Sequence, residues 1–148
     1  MNDPAKFQKY RQLGFKLTPQ RLAILEFLDG NTSHPSADEI YQHVAKTFPS
    51  MSFATVYNTL EALRNKGQIL ELSIDPSKKR FDPNPIPHNH MICTSCNKII
   101  DIPEDYQINL DTSLCQGFQV TGYTVTFYGI CPECQNRQKQ ADKKAAAV

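Results

Sequence analysis

Two Cys-x-x-Cys pairs constrain this chain more than any other feature. Cys93-Thr94-Ser95-Cys96 and Cys131-Pro132-Glu133-Cys134 are separated by 34 residues. Each pair can grip one metal ion from a tight turn, and four thiolates close a tetrahedral zinc site. A site of this kind obliges the intervening chain to leave one point and return to it. The spacer is longer than in a simple zinc ribbon, but it is long enough to hold a strand-helix-strand unit whose ends the zinc would clamp. In a reducing compartment this spacing points to metal or redox chemistry, not to a disulfide framework. A redox dithiol is the rival reading of Cys-Pro-x-Cys, but no βαβ pattern surrounds it. A zinc deaminase would need His-x-Glu upstream of Pro-Cys-x-x-Cys, and the chain has no such triplet. Cys115 reads as a buried filler on an apolar helix face.

The first pair follows directly on Pro87-His88-Asn89-His90-Met91-Ile92, which raises the question of one metal or two. Residues two apart on a strand share a face, so His88 and His90 can reach one ion together. Cys93 falls on the opposite parity. A mixed site of His88, His90, Cys93 and Cys96 would leave Cys131 and Cys134 without partners. Two metals is the better reading. Further ligands for the histidine pair are then needed, and Asp82, Asp101 and His34 are the candidates. Three imidazoles and two carboxylates suit Fe(II), Mn(II) or Zn(II) better than a thiophilic ion. Spacing alone makes only the His88/His90 pair strong. A lone His34 beside Pro35 also fits an ordinary loop residue, and His43 fits a solvated helix face.

The 148 residues suit one domain or two small ones. A Pro-rich junction, Asp82-Pro83-Asn84-Pro85-Ile86-Pro87, divides two halves of different character. The expected division is a DNA-binding domain over 1–82, a metal-binding α/β domain over 83–137, and a disordered tail over 138–148. Residues 1–80 carry 11 Lys and Arg against 8 Asp and Glu, and residues 81–148 carry 5 against 7. The first half is thus the candidate for phosphate contacts and the second for holding cations.

Helix signals fill the first half. A short helix is expected from Asp3 to Leu13. Thr18-Pro19 starts another, with an apolar stripe of Leu22, Leu25 and Leu28. Ser36 and Glu39 form a capping box opening a third, through about Thr47. Ser52 caps a fourth that runs to Lys66 and stops at Gly67, with Phe53, Val56, Leu60 and Leu63 as its apolar face. The period then changes: Leu70, Leu72 and Ile74 alternate with Glu71 and Ser73 as in a half-buried strand. Asp75-Pro76-Ser77 turns the chain back through Lys78-Lys79-Arg80-Phe81. Helices followed by a basic hairpin indicate a winged helix-turn-helix, against the blander reading of a helical bundle with a hairpin. The second half reads as strands near 88–92, 98–102 and 119–130 with a helix over Asp105–Cys115. The fold class is therefore α+β. No run approaches the ~18–20 apolar residues of a membrane span, and the N-terminus has no apolar signal core. The expectation is a cytosolic protein without membrane contact.

Six runs then resemble the ferric uptake regulator family, bacterial metal-dependent repressors. They are LTPQRLAILEFL (17–28), HPSADEIY (34–41), SFATVYNTLEALRNKG (52–67), RFD (80–82), HNHMICTSCNKIID (88–101) and YGICPEC (128–134), in the family's order. The resemblance covers roughly residues 6–136. It implies a homodimer with an N-terminal winged helix on DNA and a C-terminal α/β domain for dimerisation. It implies structural zinc on Cys93, Cys96, Cys131 and Cys134, and a regulatory Fe(II) or Mn(II) site of His34, Asp82, His88, His90 and Asp101. Metal binding would then lock the hinge and set the spacing of two recognition helices.

Within the family, peroxide-sensing members show Asp where iron-uptake members show Glu, and here both Asp82 and Asp101 are Asp. A further site built from additional histidines in many iron-uptake members has Pro87, Asn89 and a His-free stretch here. The resemblance to the peroxide-sensing branch implies that Fe(II) and hydrogen peroxide oxidise a ligand histidine at His34 or His88, after which the dimer releases DNA. Manganese would support repression without sensing. The alternatives are an iron- or zinc-responsive uptake repressor of the same fold, a thiol switch at Cys115, and a metalloenzyme. The last lacks a dedicated general base beside the His/Asp site, so an enzyme is not expected. On DNA, the family places the tyrosine at position 57 against base edges, with Thr55 and Asn58 nearby. Lys16 resembles a lysine that enters an A·T-rich minor groove. Arg64, Lys78, Lys79 and Arg80 are phosphate candidates. The implied partner is an A·T-rich, palindromic operator.

Overall fold

The structure, a computed structural model, describes residues 5–147. The chain divides into two units between Pro85 and Ile86, inside the Pro-rich junction and three residues beyond the expected boundary.

Capping chemistry sets the helices of the first unit. Helix α1 spans Gln8–Gln12; the start expected at Asp3 lies outside the described residues. Helix α2 (Pro19–Leu28) begins where the Thr18 hydroxyl accepts the Arg21 N–H at 3.2 Å. Helix α3 (Ala37–Ala45) carries the full capping box: Ser36 Oγ accepts the Glu39 N–H at 3.3 Å and Glu39 accepts the Ser36 N–H at 2.7 Å. Helix α4 (Phe53–Asn65) starts on Ser52, whose Oγ accepts the Thr55 N–H at 3.2 Å. It ends at Gly67, whose φ of 66° only glycine adopts readily. Ile24, Leu25 and Leu28 of α2, Ile40 and Val44 of α3, and Val56, Leu60 and Leu63 of α4 converge on one core. Each such side chain contributes about 1.5–3 kcal/mol when fully buried. Phe53 departs from the expected apolar face. It is 45% exposed and sits edge-on to Tyr41, while Thr59 takes an inward position. At the first position of the helix, one turn before Val56, Phe53 lies beyond the reach of the core that Val56 begins.

Strands β1 (Leu70–Leu72) and β2 (Arg80–Asp82) pair antiparallel, with Leu70 opposite Asp82 and Leu72 opposite Arg80. Three helices followed by this hairpin make a winged helix-turn-helix.

The second unit is a three-stranded sheet in the order β4-β3-β5 followed by a helix. Strand β3 (Asn89–Cys93) runs antiparallel to β4 (Ile99–Ile102) and parallel to β5 (Thr126–Gly129). Helix α5 covers Pro132–Ala146. Four expectations fail here. The helix over Asp105–Cys115 is absent; only a 3₁₀ turn at Thr112–Cys115 forms. Asn109, Asp111 and Thr112 are weak helix formers, and the Asp111 carboxylate accepts the Ser113 N–H at 2.9 Å, a local bond that competes with a helix. Cys115 is accordingly half-exposed on that turn and is not a filler on an apolar helix face. The strand expected over 119–130 contracts to four residues. Residues 138–146, expected to be disordered, continue α5, because this Gln-, Lys- and Ala-rich run has high helix propensity and Lys143 and Lys144 suit the negative C-terminal end. No helix among the described residues is long and apolar enough to cross a membrane.

Candidate metal centres and nucleic-acid interface

The four paired cysteines meet. One Sγ from each of Cys93, Cys96, Cys131 and Cys134 lies within 4.8 Å of the others. Cys93 ends β3, and the turn to Cys96 is closed by the Asn97 N–H on the Cys93 carbonyl at 2.8 Å, with Asn97 itself at a φ of 61°. Cys131 is the residue before α5 and Cys134 lies in its first turn, where backbone N–H groups and the helix dipole favour thiolates. Cys131 donates its N–H to Cys93 Sγ at 3.3 Å, and this bond leads in drawing the Cys93 thiol down to about 6. The Ser95 hydroxyl leads in lowering Cys134, which also accepts from Arg137 at 2.9 Å. For Cys96 the Lys98 N–H pulls downward, but burial and the sulfurs of Cys93, Cys134 and Cys131 push its thiol up to about 11. Crowded thiolates repel, and a divalent cation among them removes the repulsion. The donor set fits zinc: four sulfurs, two preorganised turns, and backbone donors on the sulfurs.

Both units contribute imidazoles and carboxylates. In the first, buried His34 places Nε2 3.3 Å from Oδ2 of buried Asp82. Asp82 ends β2, and His34 stands in the loop before α3 with a φ of 51°. In the second, Asp101 Oδ1 lies 3.0 Å from His88 Nε2 and 3.4 Å from His90 Nε2. The two ring centroids lie 4.4 Å apart with the rings tilted by 50°. His90 and Asp101 are direct partners in the β3–β4 register. The Ile86 carbonyl sits 2.7 Å from His88 Nδ1 and holds the ring so that Nε2 faces the carboxylate. Nitrogen and oxygen donors without sulfur suit Fe(II), Mn(II) or Zn(II).

The DNA candidates sort by burial and pairing. Tyr57 and Asn58 are exposed on α4 and Thr55 is half-buried, its hydroxyl 2.9 Å from Ser52 Oγ. Lys16 is exposed, and its carbonyl accepts from Arg21 at 3.0 Å. Arg64 and Lys79 both pair with Glu71, at 2.6 Å and 2.7 Å. Lys78 approaches Glu39 at 3.7 Å. Arg80 is buried, so it faces no phosphate; its guanidinium pairs with Asp75 at 2.9 Å. Sequence reasoning missed the exposure of Phe53 beside Tyr57. The signal was available: a residue directly after an N-cap precedes the turn that packs.

The chain matches the Ferric uptake regulator family over residues 12–128. It is 42% identical over 129 residues to the peroxide-responsive repressor PerR of Staphylococcus aureus, covering 86% of this chain and 87% of that one. Among solved structures it resembles the Campylobacter jejuni peroxide stress regulator, with a TM-score of 0.61, 30% identity, and coverage of 90% of this chain and 100% of that one. The Helicobacter pylori ferric uptake regulator Fur, described with three functional metal binding sites, matches in fold with a TM-score of 0.66 and 22% identity, over 88% of this chain and 89% of that one.

Proposed function

The chain belongs to the ferric uptake regulator family of metal-responsive regulators, and we propose that it is a homodimeric repressor that releases DNA in response to hydrogen peroxide. The observation that carries this reading is the pair of imidazole–carboxylate clusters in which both acids are aspartate, Asp82 and Asp101. The 42% identity to a peroxide-responsive repressor supports it.

In this reading His34, Asp82, His88, His90 and Asp101 hold one regulatory Fe(II) or Mn(II), while Cys93, Cys96, Cys131 and Cys134 hold structural zinc. Iron(II) bound there would supply the electron that turns peroxide into an oxidant beside the ligand rings, chemistry that manganese(II) does not perform. His34 and His88 are the rings that take up oxygen. An imidazole so altered is a poorer ligand, so the site loosens and its hold on the winged helix with it. The residues that read DNA are Tyr57, at base edges, flanked by Thr55 and Asn58. Lys16 reaches a minor groove, and Arg64 meets a phosphate once released from Glu71. The operator is A·T-rich and palindromic, matching the two-fold symmetry of a dimer, and the protein acts in the cytoplasm as a regulator rather than an enzyme.

The test is anaerobic loading with Fe(II) or with Mn(II), brief hydrogen peroxide, peptide mass spectrometry and DNA binding. One added oxygen on the His34 or His88 peptide, with Fe(II) only and with loss of DNA binding, is expected. Unmodified histidines and retained binding in both samples would assign the chain to iron- or zinc-responsive uptake control. Oxidation confined to half-exposed Cys115 would assign a thiol switch.

A further inference from the structure

We propose that Arg80 is the positioning residue for His34: its guanidinium holds the backbone of residues 33–34 so that the His34 imidazole meets Asp82. The inference rests on the reading of His34 as a ligand of the regulatory metal.

Arg80 stands in the run Lys78-Lys79-Arg80, yet it alone of the three is buried, at 8% exposure. Its donors reach both the loop and Asp75. Nε donates to the His34 carbonyl, Nη2 donates to the Ser33 carbonyl at 3.3 Å, and Nη1 donates to Asp75 Oδ2 at 2.9 Å. Asp75 is itself fixed by the Ser77 N–H at 2.8 Å and the Ser77 hydroxyl at 2.7 Å. The guanidinium is therefore anchored on one side and grips the loop with the other. A planar fork with fixed donor directions does this; a lysine, with one mobile ammonium, does not.

The loop needs such a grip. His34 has a φ of 51°, a region that a residue with a Cβ seldom enters and that persists only where surrounding contacts hold it. Strand β2 supplies those contacts at successive residues. The Arg80 side chain takes the carbonyls of Ser33 and His34, the Phe81 N–H donates to the Pro35 carbonyl at 2.9 Å, and the Asp82 carboxylate meets His34 Nε2 at 3.3 Å. Arg80 and Asp82 are two apart on the strand and share a face. One strand thus carries both a ligand, Asp82, and the group that brings the other ligand to it.

A purely structural Arg80 would change stability and leave metal affinity untouched, so the test reads affinity and the dependence on His34. Full-length, zinc-loaded protein is titrated with Mn(II), and free Mn(II) is followed by electron paramagnetic resonance. Arg80→Lys is expected to weaken binding about 10–100-fold, the usual loss when a group orienting a ligand is removed. In a His34→Ala background, the same change is expected to cost less than about twofold, because the two residues act as one unit. If Arg80→Lys does not fold, Arg80→Met with Asp75→Asn replaces it, since removing both charges strands neither; the same loss and the same non-additivity are expected. Unchanged affinity in the Arg80 variants, with His34→Ala weak, would overturn the positioning role and leave the site standing. An undiminished Arg80 effect without His34 would overturn it too. Full affinity in His34→Ala would remove the ligand reading and this inference with it.

Discussion

Replacing Cys93 with Ser should unfold the second unit and leave the first intact. The magnitude follows from what else holds residues 86–147 together. Among the described residues the buried apolar side chains there are Ile92, Ile99, Cys93 and Cys134, two of which belong to the sulfur cluster. Ile92 and Ile99 contribute roughly 3–6 kcal/mol between them at ordinary burial values. A structural zinc site contributes about 10–16 kcal/mol in small peptides. The metal cross-link outweighs the aliphatic core of this unit by a factor of about two or more on those figures. Serine offers a poor ligand, and it replaces the sulfur that accepts the Cys131 N–H with a neutral hydroxyl on a shorter bond. The assay is zinc content per chain together with far-ultraviolet circular dichroism and thermal unfolding. The expected result is loss of zinc, loss of the sheet signal, and survival of a transition from α2–α4, whose core of Ile24, Leu25, Ile40, Val44, Val56, Leu60 and Leu63 is separate. A Cys93→Ser protein with one zinc per chain and an unchanged melting temperature would refute the four-sulfur site.

Ser36→Ala removes one bond of the capping box and should cost about 0.5–2 kcal/mol, read from the urea midpoint of the first unit; no change would mean that Glu39 alone caps α3. Asp75 gives a pH dependence of known sign. Burial opposes its ionisation, but the Ser77 hydroxyl and N–H and the Arg80 guanidinium together hold its carboxyl below the usual range. Its stabilising contribution is therefore complete above the unfolded value of about 4 and is lost as pH falls through the lower folded value. Stability of Asp75→Asn, measured by urea unfolding across that acid range, should fall less steeply than that of the parent; an identical slope would refute the assignment. Tyr57→Ala should reduce discrimination between operator and random DNA while leaving the salt slope, about −0.9 per phosphate neutralised, nearly unchanged. Fluorescence anisotropy at several salt concentrations separates the two, and intact discrimination would refute the placement of α4.

Local chemistry was legible in the sequence and non-local chemistry was not. Thr18-Pro19, Ser36 with Glu39, Ser52 and Gly67 act within four residues of themselves, and each cap stands where the letters put it. The His88/His90 pair was legible for the same reason, since strand parity places both rings on one side. The segment from 103 to 125 was not. A helix is expected over Asp105–Cys115, yet Ile108, Leu110 and Leu114 are exposed there and Asp111 uses its side chain on the Ser113 N–H instead. A short segment becomes a helix only where packing supports it, and a local side-chain bond of this kind favours a turn.

The candidate sites divide along the same line. The four cysteines advertise themselves because each Cys-x-x-Cys turn gathers two thiols locally, and two such turns can share one tetrahedral ion. His34 does not, because its partner Asp82 is 48 residues away in sequence and the loop that brings it there is held by carbonyl groups, which every residue possesses. Arg80 was misread for a related reason. In Lys78-Lys79-Arg80 three cations look alike, and charge alone sends them all to the surface. Only strand parity separates Arg80, whose side chain shares a face with Asp82, from Lys79, which points to Glu71. A cation two residues before a buried carboxylate on the same strand is thus better read as an internal partner than as a phosphate contact.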